Sequence, residues 1–582
     1  MSPRWSGYLL LIVVSGLVNV GYGQVRITPD SARPRLRIDT PTSTSGTLSE
    51  LAERREKVRG QLGAALGRED DRQAVALAEQ LLDLERQIAA FSPRGEAETQ
   101  LAHQVRCDQL DTLQWLATRY ERGRLDDAER AWQELARCAA ALPAAWSWRV
   151  RTAEVELDGV RQLKRLTADQ LRLAREAAER YRQAEQLRAR GECQDAVAVA
   201  REAWKVDSRL FTGDSPRIIA GRLSLANACL DAALPGEAQT LLAEGLETAR
   251  RRLGAVHPVC MAYQRGLGSA LRDQGRPREA LPHFEAALRD AQRLFDRQND
   301  QVAQCQHELA GTLLDCGRYA QALPLEEQAV ATLRAAGAPR ARDTAVTLQR
   351  LAQVQRRLAR FSAARQLLEE SADLLREAAG DNSVDYALAL NNLGEFAVEL
   401  GEFAEGERLV AEALRILEDT GGEEHPERLT CLANLGLACD HQGQTKEAER
   451  LYQEALAGID QRYGADHPRR AVVLNNLALL YATQGDPRRA VPLLEEALRI
   501  QRIRLGERNA ATTQTLRHLA RVRERLVQPQ QASELLRLAT QLALEVYGAE
   551  HPEYAALLRD WAALYETLGD PDQGRSLATT AL

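Results

Sequence analysis

The dipeptide His-Pro stands at 257, 425, 467 and 551, and the separations of 168, 42 and 84 residues are all whole multiples of 42. A period held without slippage over 294 residues constrains the fold more than any single residue does, because each unit must form the same small structure and bury its apolar face on its neighbours. Filling in the lattice places repeat starts at Ser215, His257, Asn299, Ala341, Ser383, His425, His467, Asn509 and His551. Eighteen residues past a start stands Gly275, Gly317, Gly401, Gly443, Gly485 or Gly569, with Ala233, Ala359 and Val527 in the weaker copies, and a turn is expected there. Five residues on, Ala238, Ala280, Ala322, Ala364, Ala448, Ala490 or Ala532 recurs, replaced by Gly406 and Gly574 in two copies, as a close crossing of two helices requires.

Within a unit the apolar spacing is helical. In the repeat starting at 467, Gly464 ends the preceding helix, His467 is placed as a cap, and Pro468 sits in the first turn, where its missing N–H costs nothing. Helix A is expected to run to about Thr483, followed by a turn at Gly485 and Asp486 and a helix B to about Leu505. Leu477, Ala478 and Tyr481 on helix A face the stripe Ala490, Leu493, Leu494, Ala497, Leu498 and Ile500 on helix B. A degenerate unit fits 173–214, where Gly191, Ala196 and Ala203 keep the register, and 47–172 reads as an N-terminal domain of four or five amphipathic helices.

Leu477-Ala478, Tyr481, Gly485, Ala490 and Ala497 fall where the tetratricopeptide repeat places its signature residues. The 42-residue period, with Gly-Ala-Asp-His-Pro at 464–468, Leu-Asn-Asn-Leu-Ala at 474–478 and Glu-Ala-Leu-Arg-Ile at 496–500, resembles the kinesin light chain type of that repeat. The resemblance covers 215–582 and implies an all-α, right-handed superhelical solenoid whose A helices line a concave groove for an extended peptide or partner protein. Counting from each start, offsets 8, 9, 12 and 16 are expected to face that groove. Arg350, Asn391, Asn392, Glu395, Asn434, His441, Asn475, Asn476, Arg517, His518 and Arg521 lie there. Asn at offset 9 in three successive repeats (392, 434, 476) offers donors and an acceptor that either hold a peptide backbone or tie adjacent helices together. Arg517, His518, Arg521 and Arg525 suit an acidic ligand segment, or form a solvated helix face.

Other chemistry finds little support. With 76 basic and 83 acidic side chains and a net charge of −7, no concentrated basic face for nucleic acid or membrane is expected. Nine scattered cysteines with no Cys-x-x-Cys pair argue against a disulfide framework. His425, Cys431, Cys439 and His441 are ligand types, but on one helix the two cysteines would stand about 12 Å apart, too far for one zinc ion. Gly266-Leu267-Gly268 lacks the third glycine of a phosphate loop, and neither a Gly-x-Ser-x-Gly elbow nor a His-Glu-x-x-His pair is present. The chain is therefore expected to be no enzyme and to need no metal or cofactor.

At the N-terminus, Arg4, an apolar run from Tyr8 to Val20 and Gly21-Tyr22-Gly23 read as a secretory signal cleaved after residue 23, followed by a Pro, Thr and Ser-rich linker over 24–46. The expected location is periplasmic or extracellular, with membrane tethering if the leader stays, and no other stretch is apolar enough to span a bilayer. The final unit stops in helix B at Leu582, an uncapped end that invites self-association. The function expected is that of a protein interaction scaffold; the alternative is the regulatory region of a system whose CHAT-like peptidase part lies on another chain.

Overall fold

The computed structural model describes residues 46–580 apart from 69, 91–95, 122, 142–146, 296–298, 336–340 and 422–426. The signal and linker expected over 1–45, and the cap at His425, lie outside the described residues. Every regular element among those described is an α-helix. Five helices (Gly46–Gly67, Asp71–Ala89, Glu96–Tyr120, Leu125–Ala140 and Ser147–Lys164) precede ten antiparallel pairs that begin with Ala168–Ala189 and Cys193–Leu210 and end with Pro552–Thr567 and Pro571–Thr580. This is the all-α helix-pair solenoid that the repeat implied. The helices fall into two compact units. The first runs to Leu267 and takes back Arg289–Asp296; the second holds Gly268–Leu288 and the described residues after 298.

In the first unit, Trp132 packs without exposure among Leu110, Leu113, Leu116 and Leu135, and its indole N–H donates to Glu121 (2.9 Å). At the 257 repeat, His257 accepts the Val259 amide on Nδ1 (3.1 Å) while its other ring nitrogen meets the Thr152 hydroxyl at 2.8 Å. Burial holds this imidazole neutral, with its pKa pushed down to about 3.

In the second unit the caps follow the lattice. His467 and His551 accept the amides of Arg469 (3.2 Å) and Glu553 (3.0 Å) on Nδ1, and both rings stack on a tyrosine of the preceding helix B, Tyr463 at 4.5 Å and Tyr547 at 4.2 Å. Where His-Pro is missing, Asn299, Ser383 and Asn509 supply the capping oxygen instead, since any short acceptor satisfies the orphan N–H groups of the first turn. The turn between helices A and B is left-handed: Gly485 has φ 86°, and Ala233, Ala359 and Val527 are held at 58–59°. The fold thus imposes one turn on every copy, including those where a Cβ costs about 1–2 kcal/mol.

Two of these turns reach farther. A Cβ on Gly275 would collide with the Asn509 side chain, and one on Gly317 would lie 2.8 Å from His551 and 3.0 Å from Pro552. Both pairs are 234 residues apart, so the A–B turn of one repeat seats the cap of the repeat six units later. Six repeats therefore bring the second unit back onto itself along a seam of caps and turns.

Candidate ligand-binding face

Helix A of a repeat is nearly all buried, because it packs on its own helix B and on the A helices before and after it. In Val384–Glu399 the exposed residues are Glu395 and Glu399, and in Pro468–Thr483 they are Val472 and Thr483. The open face of the A helices is thus a stripe at offsets 5, 12 and 16, with offset 9 half-buried at Asn392, Asn434, Asn476 and His518. Its middle is apolar: Leu388, Leu437 and Leu479 are half-buried and Val472 is 37% exposed.

The side chains at offsets 8 and 9 meet each other across repeats. Asn392 Nδ2 donates to Gln349 Oε1 (3.0 Å), Asn434 Nδ2 donates to Asn391 Oδ1 (3.0 Å), and His518 Nδ1 stands 3.5 Å from Asn475 Oδ1, each pair 43 residues apart. Asn475, itself buried, also donates to the Ala471 carbonyl and the Thr515 hydroxyl. Arg517 and Asp560 form the next rung at 2.5 Å. The amides at 392 and 434 are therefore engaged with the preceding helix, the second of the two roles their chemistry allowed. Asn476 is different, since offset 8 of the preceding repeat is Ala433, which has nothing to offer. No hydrogen bond of its amide is present among the described residues.

A second ladder runs along offsets 15 and 16. Arg272 Nε donates to Asp315 (2.8 Å), and Arg356 Nη1 pairs with Glu399 (2.8 Å) and lies 3.6 Å from Glu395. The basic group near 517–525 is likewise engaged. Arg517 holds Asp560 and Glu553, Arg521 pairs with Asp560 at 3.0 Å, and Arg525 donates to the Ala482 carbonyl. Burial and the guanidinium groups of Arg521 and Arg517 push His518 down to about 4, so its ring is neutral at physiological pH. His441 is exposed and stacks flat on Phe403 at 5.1 Å. Cys431 and Cys439 are buried, and burial pushes their thiols up to about 12 and about 11, as fits small apolar side chains in a helix interface.

Arg350 departs most from its expected setting. It is only 6% exposed, packed with His307, Glu326, Arg272 and Gly311 rather than open in the groove. The sequence carries a sign of this cluster: offset 8 of the 299 repeat is His307, an ionisable group where the 341, 383 and 467 repeats carry an amide.

A family comparison agrees with this architecture. The tetratricopeptide repeat family matches residues 259–335, 301–377, 385–461 and 441–503. Among solved structures, a putative kinesin light chain from Podospora anserina with nearly identical repeats is 25% identical, over 34% of this chain and 94% of that one, at a TM-score of 0.29. BtubC (BKLC) from P. vanneervenii is 19% identical over 38% of this chain and 89% of its own, at 0.33. Yeast Tom70 is 13% identical over 82% and 97%, at 0.40. No curated protein matches the chain. Residues 259–377 and 385–503 match the tetratricopeptide repeat family, on a 42-residue period that resembles the kinesin light chain type.

Proposed function

We propose that this protein is a non-enzymatic interaction scaffold that takes an extended segment of a partner protein on the A-helix face of its second unit. The observation that carries the reading is the apolar stripe of Leu388, Leu437, Val472 and Leu479, on a surface where almost every other large side chain is packed inward or ion-paired. The unpartnered amide of Asn476 stands beside it, four residues after Val472 and three before Leu479 on the same helix. A peptide backbone laid along the stripe would find a donor and an acceptor there, with apolar contacts on both sides.

Photo-crosslinking from position 479 in native cells, compared with a Val472→Asp chain, tests the reading. One crosslinked partner that disappears with Val472→Asp supports it, and labelling that the substitution leaves unchanged sinks it. The leader-like segment supports export as part of the same proposal. N-terminal sequencing of protein recovered outside the cytoplasm should then start at Gln24, and recovery from the cytoplasm with Met1 intact would refute it.

A further inference from the structure

We infer that the seam of the second unit is an acid-opened latch: protonation of the His551 ring lifts the cap of the 551 repeat from the turn of the 299 repeat and lets the unit lengthen. The inference stands on the seam and needs no reading of the ligand face. His467 and His551 are built alike, each capping through Nδ1 a helix that begins with Pro, and each stacked on a tyrosine four residues before it. His551 in addition lies against Gly317, where a Cβ would come within 2.8 Å of its Cδ2 and 3.4 Å of its Nε2. Its ring is thus both a helix cap and one face of the contact that closes the coil.

A cation is misplaced there. The protonated ring loses the lone pair that accepts the Glu553 amide at 3.0 Å, and it sets a positive charge at the positive end of helix Pro552–Thr567. Arg357, at the end of helix Ala341–Arg357, opposes that charge, and Arg278 lies on Gly548, its Nη1 3.0 Å from where a Cβ would stand. Asp315, the acid that favours the cation, already accepts from Arg272 Nε at 2.8 Å, and Glu553 is held by Arg517 at 3.1 Å. Burial raises the phenols of Tyr547 under the ring and of Tyr319 beside it, so both stay neutral. Burial first, then Arg357, brings the His551 ring down to about 4.

A ring that leaves the seam for water returns to the ordinary value of about 6.5. The closed seam therefore has its full advantage above about 6.5 and loses it as pH falls toward about 4, by at most about 300-fold. The other rung does not titrate, because the Asn509 side chain that rests on Gly275 is an amide, accepting from Ala511 at 2.7 Å. Acid thus unfastens one rung of the two, and the seam opens from the 551 end. The repeats themselves supply the residue that removes the switch and keeps the cap, since Asn fills this station at 299 and 509.

Distance labels carried by unnatural amino acids at positions 321 and 559, in helices Tyr319–Ala335 and Pro552–Thr567 on the two sides of the seam, read the opening in the full chain. Circular dichroism marks the pH range in which the chain stays helical. Within it the distance should lengthen as pH falls from about 7 toward about 4, and His551→Asn should hold it at its neutral value. His551→Lys, a charge that neutral pH does not remove, should lengthen the distance at about pH 7 already. His467→Lys, which loses the same kind of cap outside these two contacts, should leave it unchanged. If acid unfolds the chain before the distance moves, His551→Lys at neutral pH decides alone. A distance that stays short in His551→Lys, or an acid lengthening that persists in His551→Asn, overturns the latch. Equal lengthening in His467→Lys would trace the effect to a lost cap and overturn it as well.

Discussion

The second unit uses the same two stations, offsets 8 and 9 of helix A, for different chemistry along its length. From the 341 repeat to the 509 repeat the rungs are neutral: Gln349 with Asn392, Asn391 with Asn434, Asn475 with His518. At the junction of the 299 and 341 repeats the same stations hold His307 and Arg350, with Glu326 reaching in from helix B. An amide rung satisfies both partners with no net charge to solvate, so it can be buried at little cost. The junction of the 299 and 341 repeats instead buries ionisable groups, which cost more to take out of water than an amide does. The difference teaches that in a repeat array position sets which side chains meet, while residue type decides whether the meeting is neutral or ionisable.

The comparison can be broken most severely at Asn475, the most heavily bonded amide. Asn475→Leu removes the donor to Thr515 Oγ1 and to the Ala471 carbonyl and the partner of the His518 ring, and should cost about 2 kcal/mol, read as a lower urea midpoint. Next in size is a pH signature of the charged junction. Glu326 has a folded pKa above the unfolded 4.5, so its contribution is complete below about 4.5 and is lost as pH rises through the folded value. Glu326→Gln should flatten the decline of the urea midpoint as pH rises above about 4.5, and a profile left unchanged would show the carboxyl to be ionised. His518 carries the opposite sign. Its folded pKa of about 4 lies below the unfolded 6.5, so its contribution is present above 6.5 and is lost as pH falls toward about 4; His518→Asn should remove that acid-side loss from the midpoint-versus-pH curve. The smallest effect sharpens the contrast among the amides themselves. Asn392→Ala and Asn434→Ala should each cost about 1 kcal/mol, whereas Asn476→Ala should stay within about 0.5 kcal/mol in the same urea titration.

Much of the architecture was legible because it is local and periodic. The helix boundaries at Pro468 and Thr483, the histidine caps at 257, 467 and 551, and the turns occupied by Ala233, Ala359 and Val527 all follow from spacing and cap chemistry within about 20 residues. The ligand face was legible only as a set of offsets. Which of its residues are spent on structure depends on partners about 43 positions away, as with Asp560, which takes up Arg517 and Arg521, or Gln349, which takes up Asn392. No helical wheel of a single repeat contains that information. The burial of Arg350 was equally hidden, since it depends on His307, Glu326 and Arg272 meeting it in three dimensions.

The seam between Gly275 and Asn509, and between Gly317 and His551, gives the second unit the mechanics of a coil spring wound until its turns touch. Such a spring resists compression, because its coils already bear on one another, and it yields only in extension, by lifting two caps from two turns. Any ligand that required the second unit to lengthen would first have to lift Asn509 from Gly275 and His551 from Gly317.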